Sequence, residues 1–232
     1  MASGTSGMTR RYGRRAAVRR AFLGLGLFLS VSAVTWPQGV EAQPAPIRVL
    51  MLGDSITAGY GLAKPEALPA QLEAALKAAG LNVTIIEAGV SGDTTAGGKS
   101  RLEWALADQP QAVVVALGGN DGLRGLAPAE SYANLADILA RLQARGLPTL
   151  LAGMLAPPNL GADYGREFSE TFRKLAAEHP GAVFYPFLLD GVAGDPALNQ
   201  PDRIHPNPAG AQEVARRMLP AMRELLSKVQ GG

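Results

Sequence analysis

Short apolar segments of strand length alternate with helix-like segments from residue 47 onward, and this alternation constrains the fold more than any other feature. The apolar segments predict five β-strands, at residues 47–52, 83–88, 112–117, 149–154 and 182–185. Helical spacing and end signals predict helices at residues 68–79, 100–107, 128–145, 166–178 and 208–226. Right-handed βαβ crossovers place helices on both faces of such a sheet. We therefore predict an α/β fold, a three-layer α/β/α sandwich with a five-stranded, mostly parallel sheet.

Four of the predicted strands are followed by segments rich in polar residues and glycine. Because ligands of such folds bind beyond the carboxyl ends of the strands, these segments are expected to share one edge of the sheet. They supply Ser55 after the first strand, Gly92 after the second, Asn120 after the third, and Asp202 with His205 after the fifth.

This set of residues fits the requirements of acyl transfer. A serine hydroxyl becomes a good nucleophile when an imidazole removes its proton, and a carboxylate then orients the imidazole and stabilises its charged form. Asp202 and His205 are three residues apart, so one turn can bring them together. The oxyanion that develops needs hydrogen-bond donors, and the Ser55 N–H, the Gly92 N–H and the Asn120 amide are the candidates.

Each of these residues also has a purely structural interpretation. Ser55 could cap the following helix, and Gly92 and Asn120 could be turn residues. His205 precedes a proline and, taken alone, is typical of a surface loop. The catalytic interpretation is favoured because the four segments occur together. His179, by contrast, is assigned to a helix end, where a histidine interacts favourably with the helix dipole.

The composition excludes several classes of site. The chain of 232 residues contains no cysteine, which rules out disulfides, thiolate metal sites and a cysteine nucleophile. The net charge of +2 comes from the N-terminus, because residues 1–42 hold six arginines and one glutamate. Residues 43–232 keep 16 basic and 19 acidic residues, a net charge of −3, which gives no indication of a nucleic-acid partner.

The N-terminus has the pattern of an export signal. Residues 1–7 resemble a cloning leader or an upstream start, and an arginine-rich stretch and an apolar stretch at 21–34 follow. The apolar stretch is shorter than the roughly 20 residues of a membrane-spanning helix. We expect cleavage near Ala42, one domain over 43–232, and a periplasmic or secreted protein. The Arg19-Arg20 pair also resembles a twin-arginine signal, and an uncleaved anchor is the alternative.

The four segments resemble, in order, the four sequence blocks of the SGNH (GDSL) hydrolase family. The blocks are Gly53-Asp54-Ser55, Gly92 within Ser-Gly-Asp-Thr-Thr, Gly118-Gly119-Asn120-Asp121 and Asp202-Arg203-Ile204-His205-Pro206. Residues 117–126 look like the thioesterase I, lysophospholipase and arylesterase branch. The resemblance implies a flavodoxin-like sheet, with Ser55 as nucleophile, His205 as base and Asp202 as its orienting partner. It also implies that Gly92, Asn120 and the serine N–H form the oxyanion hole.

Two competing motifs are weaker. Residues 93–100 nearly match a phosphate-binding loop, but Asp93 stands where the first glycine belongs and would repel phosphate. The G-x-S-x-G elbow of α/β-hydrolases is absent. A non-catalytic binding module of the same fold is a further alternative, although all proposed catalytic side chains are present.

The predicted substrate is a carboxylic ester or thioester of an acyl or aryl group, with a lipid ester as one possibility. An apolar loop after the fourth strand is the candidate substrate contact: Met154, Leu155, Pro157, Pro158 and Asn159. Tyr60 and Leu62 are expected to line the same pocket. No metal or organic cofactor is required by this chemistry, and a monomer is expected. The alternative within the same fold is a carbohydrate acetylesterase.

Overall fold

The computed structural model describes residues 45–230, and the predicted export signal lies outside these residues. Five strands form one sheet in the order β2-β1-β3-β4-β5, and every neighbouring pair is parallel. The strands are β1 (Ile47–Gly53), β2 (Val83–Gly89), β3 (Ala112–Ala116), β4 (Thr149–Ala152) and β5 (Val183–Tyr185). The predicted number of strands and the parallel sheet are confirmed.

Four long helices account for most of the remaining chain. They are α2 (Leu68–Ala78), α6 (Pro128–Ala144), α7 (Ala162–Glu178) and α8 (Pro208–Gln230). Four short helices complete the set: α1 (Ser55–Ala58), α3 (Thr95–Ser100), α4 (Leu102–Leu106) and α5 (Gly119–Leu123). The predicted helix at 100–107 is wrong in outline, because the helix breaks at Arg101 and an additional turn begins at Thr95. Helices this short have no hydrophobic period to reveal them.

The sheet forms the middle of three layers. All five residues of β3 are buried, as expected for a strand covered on both faces. Helix α2 packs beside α8, and α6 packs beside α7. The buried helix residues are apolar and recur at helical spacing, as in Leu68, Leu72 and Leu76 of α2. Among residues 45–230, no helix is both long and apolar enough to cross a membrane.

The strand register places the ends of β1, β2 and β3 at one level. Gly53 pairs with Gly89 on one side and with Ala116 on the other. A Cβ atom on Gly89 would lie 2.3 Å from the backbone nitrogen of Ala58. Glycine at this position therefore lets α1 pack directly against the end of β2, and it fixes the turn that carries Ser55.

Candidate active site

Ser55 is the first residue of α1, and one residue separates it from the end of β1. The preceding residue, Asp54, caps the helix: its Oδ1 accepts a hydrogen bond from the Ile56 N–H at 3.0 Å. Gly59 ends the helix in the left-handed conformation at φ 70°. The short helix thus holds the serine at the edge of the sheet between a cap and a glycine stop.

The structure brings Ser55, His205 and Asp202 into one hydrogen-bonded chain. Ser55 Oγ lies 2.8 Å from His205 Nε2, and His205 Nδ1 lies 2.7 Å from Asp202 Oδ2. A carboxylate only accepts hydrogen bonds, so Nδ1 carries a proton and Nε2 is free to accept from the serine. The arrangement can deprotonate the hydroxyl during attack on a carbonyl carbon.

Asp202 is held as a carboxylate by its own turn. Partial burial opposes ionisation, but hydrogen bonds from the His205 backbone and ring and from the Ile204 N–H outweigh it. Together they lower the pKa of Asp202 to about 2. Asp202 Oδ1 accepts from the Ile204 and His205 N–H groups at 2.9 and 3.0 Å. These bonds orient the other oxygen towards the imidazole.

Gln200 attaches the loop of His205 to the segment after the nucleophile. Its backbone N–H donates to the His205 carbonyl at 2.8 Å, which closes the turn. Its side-chain Nε2 donates to the Tyr60 carbonyl at 2.7 Å and to the Pro206 carbonyl at 3.0 Å. The Tyr60 ring lies 4.6 Å from the imidazole, centroid to centroid. Sequence reasoning missed Gln200, because its partner Tyr60 is 140 residues away.

Two of the three candidate oxyanion donors, Gly92 and Asn120, lie on the segments after β2 and β3. Asn120 is the second residue of α5, which follows Gly118, whose φ of 111° favours glycine. Asn120 Nδ2 lies 3.5 Å from Asp54 Oδ2. Gly92 has a φ of 83°, and its carbonyl accepts from Arg124 Nη2 at 2.9 Å. Ser55 and Asn120 line the same cleft.

Asp54 is a buried carboxyl group beside the site. Only 2% of the residue is exposed. Burial raises the pKa of Asp54 to about 6, against the opposing effects of the Ile56 N–H and of His205. The sequence pattern indicates a turn residue, and the structure adds to this that the carboxyl group also faces the Asn120 amide.

Asp54 therefore has two roles: it caps α1, and its carboxyl group lies next to the Asn120 amide, a candidate oxyanion donor.

Arg101 links the segments after β1 and β2, and it was missed from the sequence. Its Nε donates to Asp93 Oδ2 at 2.7 Å, and its Nη2 donates to the Gly53 carbonyl at 2.8 Å. A Cβ atom on Gly97 would lie 2.0 Å from Asp93 Oδ1, so the carboxylate packs against the backbone of α3. Asp93, which stands where a phosphate-binding loop has its first glycine, is thus paired with Arg101.

Asp121 connects the second and third segments below the surface. Its carboxylate accepts from the Thr95 N–H at 2.9 Å, from the Thr95 hydroxyl at 2.6 Å and from the Ser131 hydroxyl at 3.0 Å. Only 2% of Asp121 is exposed. The carboxylate therefore fixes the position of Asn120, its neighbour in sequence, relative to the start of α3.

A cleft of about 440 Å³ opens beside Ser55 and Asn120. Four of the five predicted contact residues line it, namely Met154, Leu155, Pro157 and Pro158. The fifth, Asn159, is exposed and is not among the residues that line the cleft; it lies in a short 3₁₀ helix at Pro158–Leu160.

The opposite wall of the cleft follows β5, and sequence reasoning missed it. Its residues are Phe187, Leu189, Ala193, Gly194, Arg203 and Ile204. The apolar sequence after β5 was the available signal. Tyr60 and Leu62 do not line this cleft, since they border a separate cavity of about 10 Å³ on the other side of Ser55 and His205.

The contacts of His179, the other histidine, lie away from Ser55, His205 and Asp202. It follows the last residue of α7, and its Nδ1 lies 3.3 Å from Gln143 Oε1. Its assignment to a helix end is confirmed. Within residues 45–230, no group of three or more acidic or histidine side chains is placed to hold a metal ion.

Comparison with known proteins gives relatives over most of the chain. The esterase TesA of Pseudomonas aeruginosa is 40% identical over 185 residues, which cover 79% of this chain and 92% of that protein. The thioesterase 1/protease 1/lysophospholipase L1 of Escherichia coli K12 is 37% identical over 177 residues, 74% of this chain and 83% of that protein.

A solved structure gives the same result. The crystal structure of AlinE4, described as an SGNH-hydrolase family esterase, is similar with a TM-score of 0.67 and 47% identity. The match covers 80% of this chain and 99% of that one. The sequence also matches the GDSL-like lipase/acylhydrolase family over residues 51–213. From the order of the four segments, their meeting at one edge of the sheet and these matches, it follows that the chain belongs to the GDSL-like lipase/acylhydrolase family.

Proposed function

We propose that the protein is a serine esterase that hydrolyses carboxylic esters of acyl or aryl groups through an acyl-Ser55 intermediate. The observation that carries this proposal is the hydrogen-bonded chain from Ser55 through His205 to Asp202, with Ser55 at the wall of an apolar cleft. The names of the relatives, an esterase and a thioesterase/lysophospholipase, support it.

In the first step, Ser55 Oγ attacks the carbonyl carbon while His205 Nε2 takes the hydroxyl proton. Asp202 stabilises the charged imidazolium without taking the proton itself. The C–O bond to the leaving alcohol, or the C–S bond to a leaving thiol, then breaks as His205 protonates the leaving group. Water attacks the acyl-serine by the reverse path, which releases the acid and restores the hydroxyl.

The proposed oxyanion hole consists of the Ser55 and Gly92 N–H groups and the Asn120 amide. Asp54 Oδ2 lies 3.5 Å from Asn120 Nδ2, a distance that supports an oriented amide. One amide hydrogen can face Asp54 while the second remains for the oxyanion. Removal of one such donor typically lowers the rate by about 10² to 10³-fold.

The cleft favours an apolar acyl or aryl group. Leu155 is 51% exposed, and its side chain becomes covered when a substrate fills the cleft. Burial of apolar surface contributes about 25 cal/mol per Å². Thioesters and lipid esters are proposed as further substrates, since the name of the E. coli relative includes both activities.

The test of this function is the hydrolysis of p-nitrophenyl butyrate. Ser55→Ala is expected to abolish turnover, whereas Ser227→Ala, an exposed serine on α8, leaves it unchanged. A fluorophosphonate probe is expected to label Ser55, as read by peptide mass spectrometry. Wild-type turnover by Ser55→Ala would disprove the mechanism.

The substrate class is tested by a series of acyl lengths from acetyl to palmitoyl, offered as oxygen esters and as thioesters. Acetylated sugars form a separate arm of the same series. We expect higher kcat/KM for acyl and aryl esters, because the cleft walls are largely apolar. A clear preference for sugar acetates would instead assign the protein as a carbohydrate acetylesterase.

We also propose that the chain is exported to the periplasm or beyond, with removal of residues 1–42, and that it acts as a monomer. The arginine-rich and apolar segments of the N-terminus support export. Cell fractionation and N-terminal sequencing test the cleavage near Ala42, and light scattering tests the monomer. A mature chain that retains residues 1–42 would identify the segment as an anchor.

A further inference from the structure

Arg203 places a positive charge at an otherwise apolar cleft. Among the described residues that line the cleft, Asp54 and Arg203 are those with ionisable side chains. Asp54 is buried behind the nucleophile, whereas Arg203 is exposed. A substrate that enters the cleft therefore meets a single accessible charge, and that charge is a cation.

The backbone holds Arg203 in an unusual conformation. Its φ is 60°, in the left-handed region that favours glycine. Its N–H donates to the Gln200 carbonyl at 2.9 Å. Asp202, which precedes Arg203 in the chain, orients the imidazole of His205, which lies two residues after Arg203. Strained residues of this kind cluster at functional sites. The turn that orients the base thus carries an arginine where a glycine would fit without strain.

The guanidinium of Arg203 has no anionic partner among residues 45–230. The carboxylates near it in the sequence are engaged elsewhere: Asp202 with His205, Asp190 with Arg217, and Asp195 with the Ala197 N–H. A cation at a cleft wall without an internal partner is available to an anion on a ligand.

We propose that Arg203 is a specificity residue that binds an anionic group, a phosphate or a carboxylate, on the ester substrate. The inference rests on the proposed esterase function and narrows its substrate class to esters with a negative charge away from the scissile bond. The charge–charge attraction is strengthened by the apolar walls of the cleft and weakened by salt.

Two pairs of substrates test where the anion lies. On the acyl side, 4-nitrophenyl hemiadipate carries a carboxylate, and 4-nitrophenyl hexanoate is its neutral counterpart. On the alcohol side, 4-sulfophenyl butyrate is compared with phenyl butyrate. For each pair, the ratio of kcat/KM for the anionic ester to that for the neutral ester is measured in wild type and in variants.

Arg203→Gln removes the charge and keeps most of the side-chain length. We expect it to lower the anionic-to-neutral ratio by up to about 5-fold in at least one pair, because the attraction between charges at an exposed site is modest. Arg203→Gly, which suits the left-handed backbone, is expected to give the same loss. The control Arg223→Gln, on α8, is expected to leave both ratios unchanged.

The salt dependence gives an independent readout. In wild type the ratio is expected to fall as NaCl is raised, because ions screen the attraction, and in Arg203→Gln it is expected to stay flat. Unchanged ratios in both variants would overturn the inference, as would an equal loss for neutral and anionic esters. Wild-type protein that cleaves neither the neutral nor the anionic esters would refute the esterase function itself, so the two failures are distinguishable.

Discussion

The two halves of the candidate active site are held in different ways. The half with Ser55 and Asn120 lies on the ends of β1 and β3, and buried carboxylates tie its segments together. The half with Asp202 and His205 lies on an exposed loop, and hydrogen bonds within a few residues shape it. Gln200 attaches this loop to the Tyr60 carbonyl, and His205 attaches it to Ser55.

This difference predicts that substitutions in the two halves have different consequences. Loss of a buried carboxylate leaves donors without partners, so it costs stability. Loss of a group on the exposed loop removes chemistry and little packing. Measurement of both kcat and the free energy of unfolding for each variant therefore tests whether the two halves differ in this way.

The largest effect is expected from the exposed half. His205→Ala and Asp202→Asn are expected to lower kcat by at least about 10³-fold, because the serine loses its base or the base loses its tautomer. The free energy of unfolding is expected to fall by roughly 1 to 2 kcal/mol, less than in the buried half, because the Asp202 carboxylate also accepts the hydrogen bonds that shape the loop. Steady-state kinetics and urea unfolding give both numbers.

His179→Ala is the matched control, since it replaces the other histidine of the chain at a helix end. It is expected to retain wild-type kcat. A loss of activity in His179→Ala equal to that in His205→Ala would contradict the assignment of the base.

The next effect belongs to the buried half. Asp121→Ala leaves the Thr95 N–H and two hydroxyl groups without their acceptor, and we expect a loss of roughly 3 to 4 kcal/mol in the free energy of unfolding. Urea unfolding measures it. Asp163→Ala, an exposed acid on α7, is the control. Equal stability of the two variants would show that the buried network does not hold this half together.

Asp54, in the buried half, is expected to make the free energy of unfolding depend on pH. At low pH the carboxyl is protonated in the folded and the unfolded chain alike, so burial carries no charge penalty. As pH rises, the unfolded chain ionises from its ordinary pKa of 3.8, while the folded chain holds the proton to about 6. This difference lowers the free energy of unfolding by up to about 3 kcal/mol between pH 4 and 7.

Asp54→Asn removes this contribution and keeps an oxygen that can cap α1. Relative to wild type, the variant is therefore expected to gain stability as pH rises from 4 to 7, as measured by urea unfolding at each pH. The exposed Asp163→Asn should run parallel to wild type. A constant difference between Asp54→Asn and wild type over this range would argue against burial as the cause.

The smallest effect is expected where the two halves meet. Gln200→Ala removes the side-chain hydrogen bonds to the Tyr60 and Pro206 carbonyls. We expect a loss of about 1 to 2 kcal/mol in stability and a fall of about 10-fold in kcat, since the imidazole is then less well oriented. Gln212→Ala on α8 is the control. Unchanged kcat would mean that the local turn alone positions His205.

The sequence predicted the fold because its signals are local. The sequence identified strands that are apolar at every position, such as 112–117, with small errors at their ends. It did the same for helices whose apolar residues recur at regular spacing. The break at Arg101 was missed because the residue leaves the helical pattern to bind Asp93 and the Gly53 carbonyl. Long-range hydrogen bonds of this kind produce no repeating pattern of residues in the sequence.

By itself, the sequence determined the parallel sheet and the identity of the residues at its edge. The functional groups at the strand ends can be read directly from the sequence, because ligands of such folds bind beyond the carboxyl ends of the strands. They belong to glycine, serine, asparagine, aspartate and histidine. The tertiary structure decided the distances: the 2.8 Å contact of Ser55 with His205, the apolar wall after β5 and the exposure of Arg203 at the cleft. These features depend on how loops pack across 100 residues or more, and spacing along the chain does not encode that packing directly.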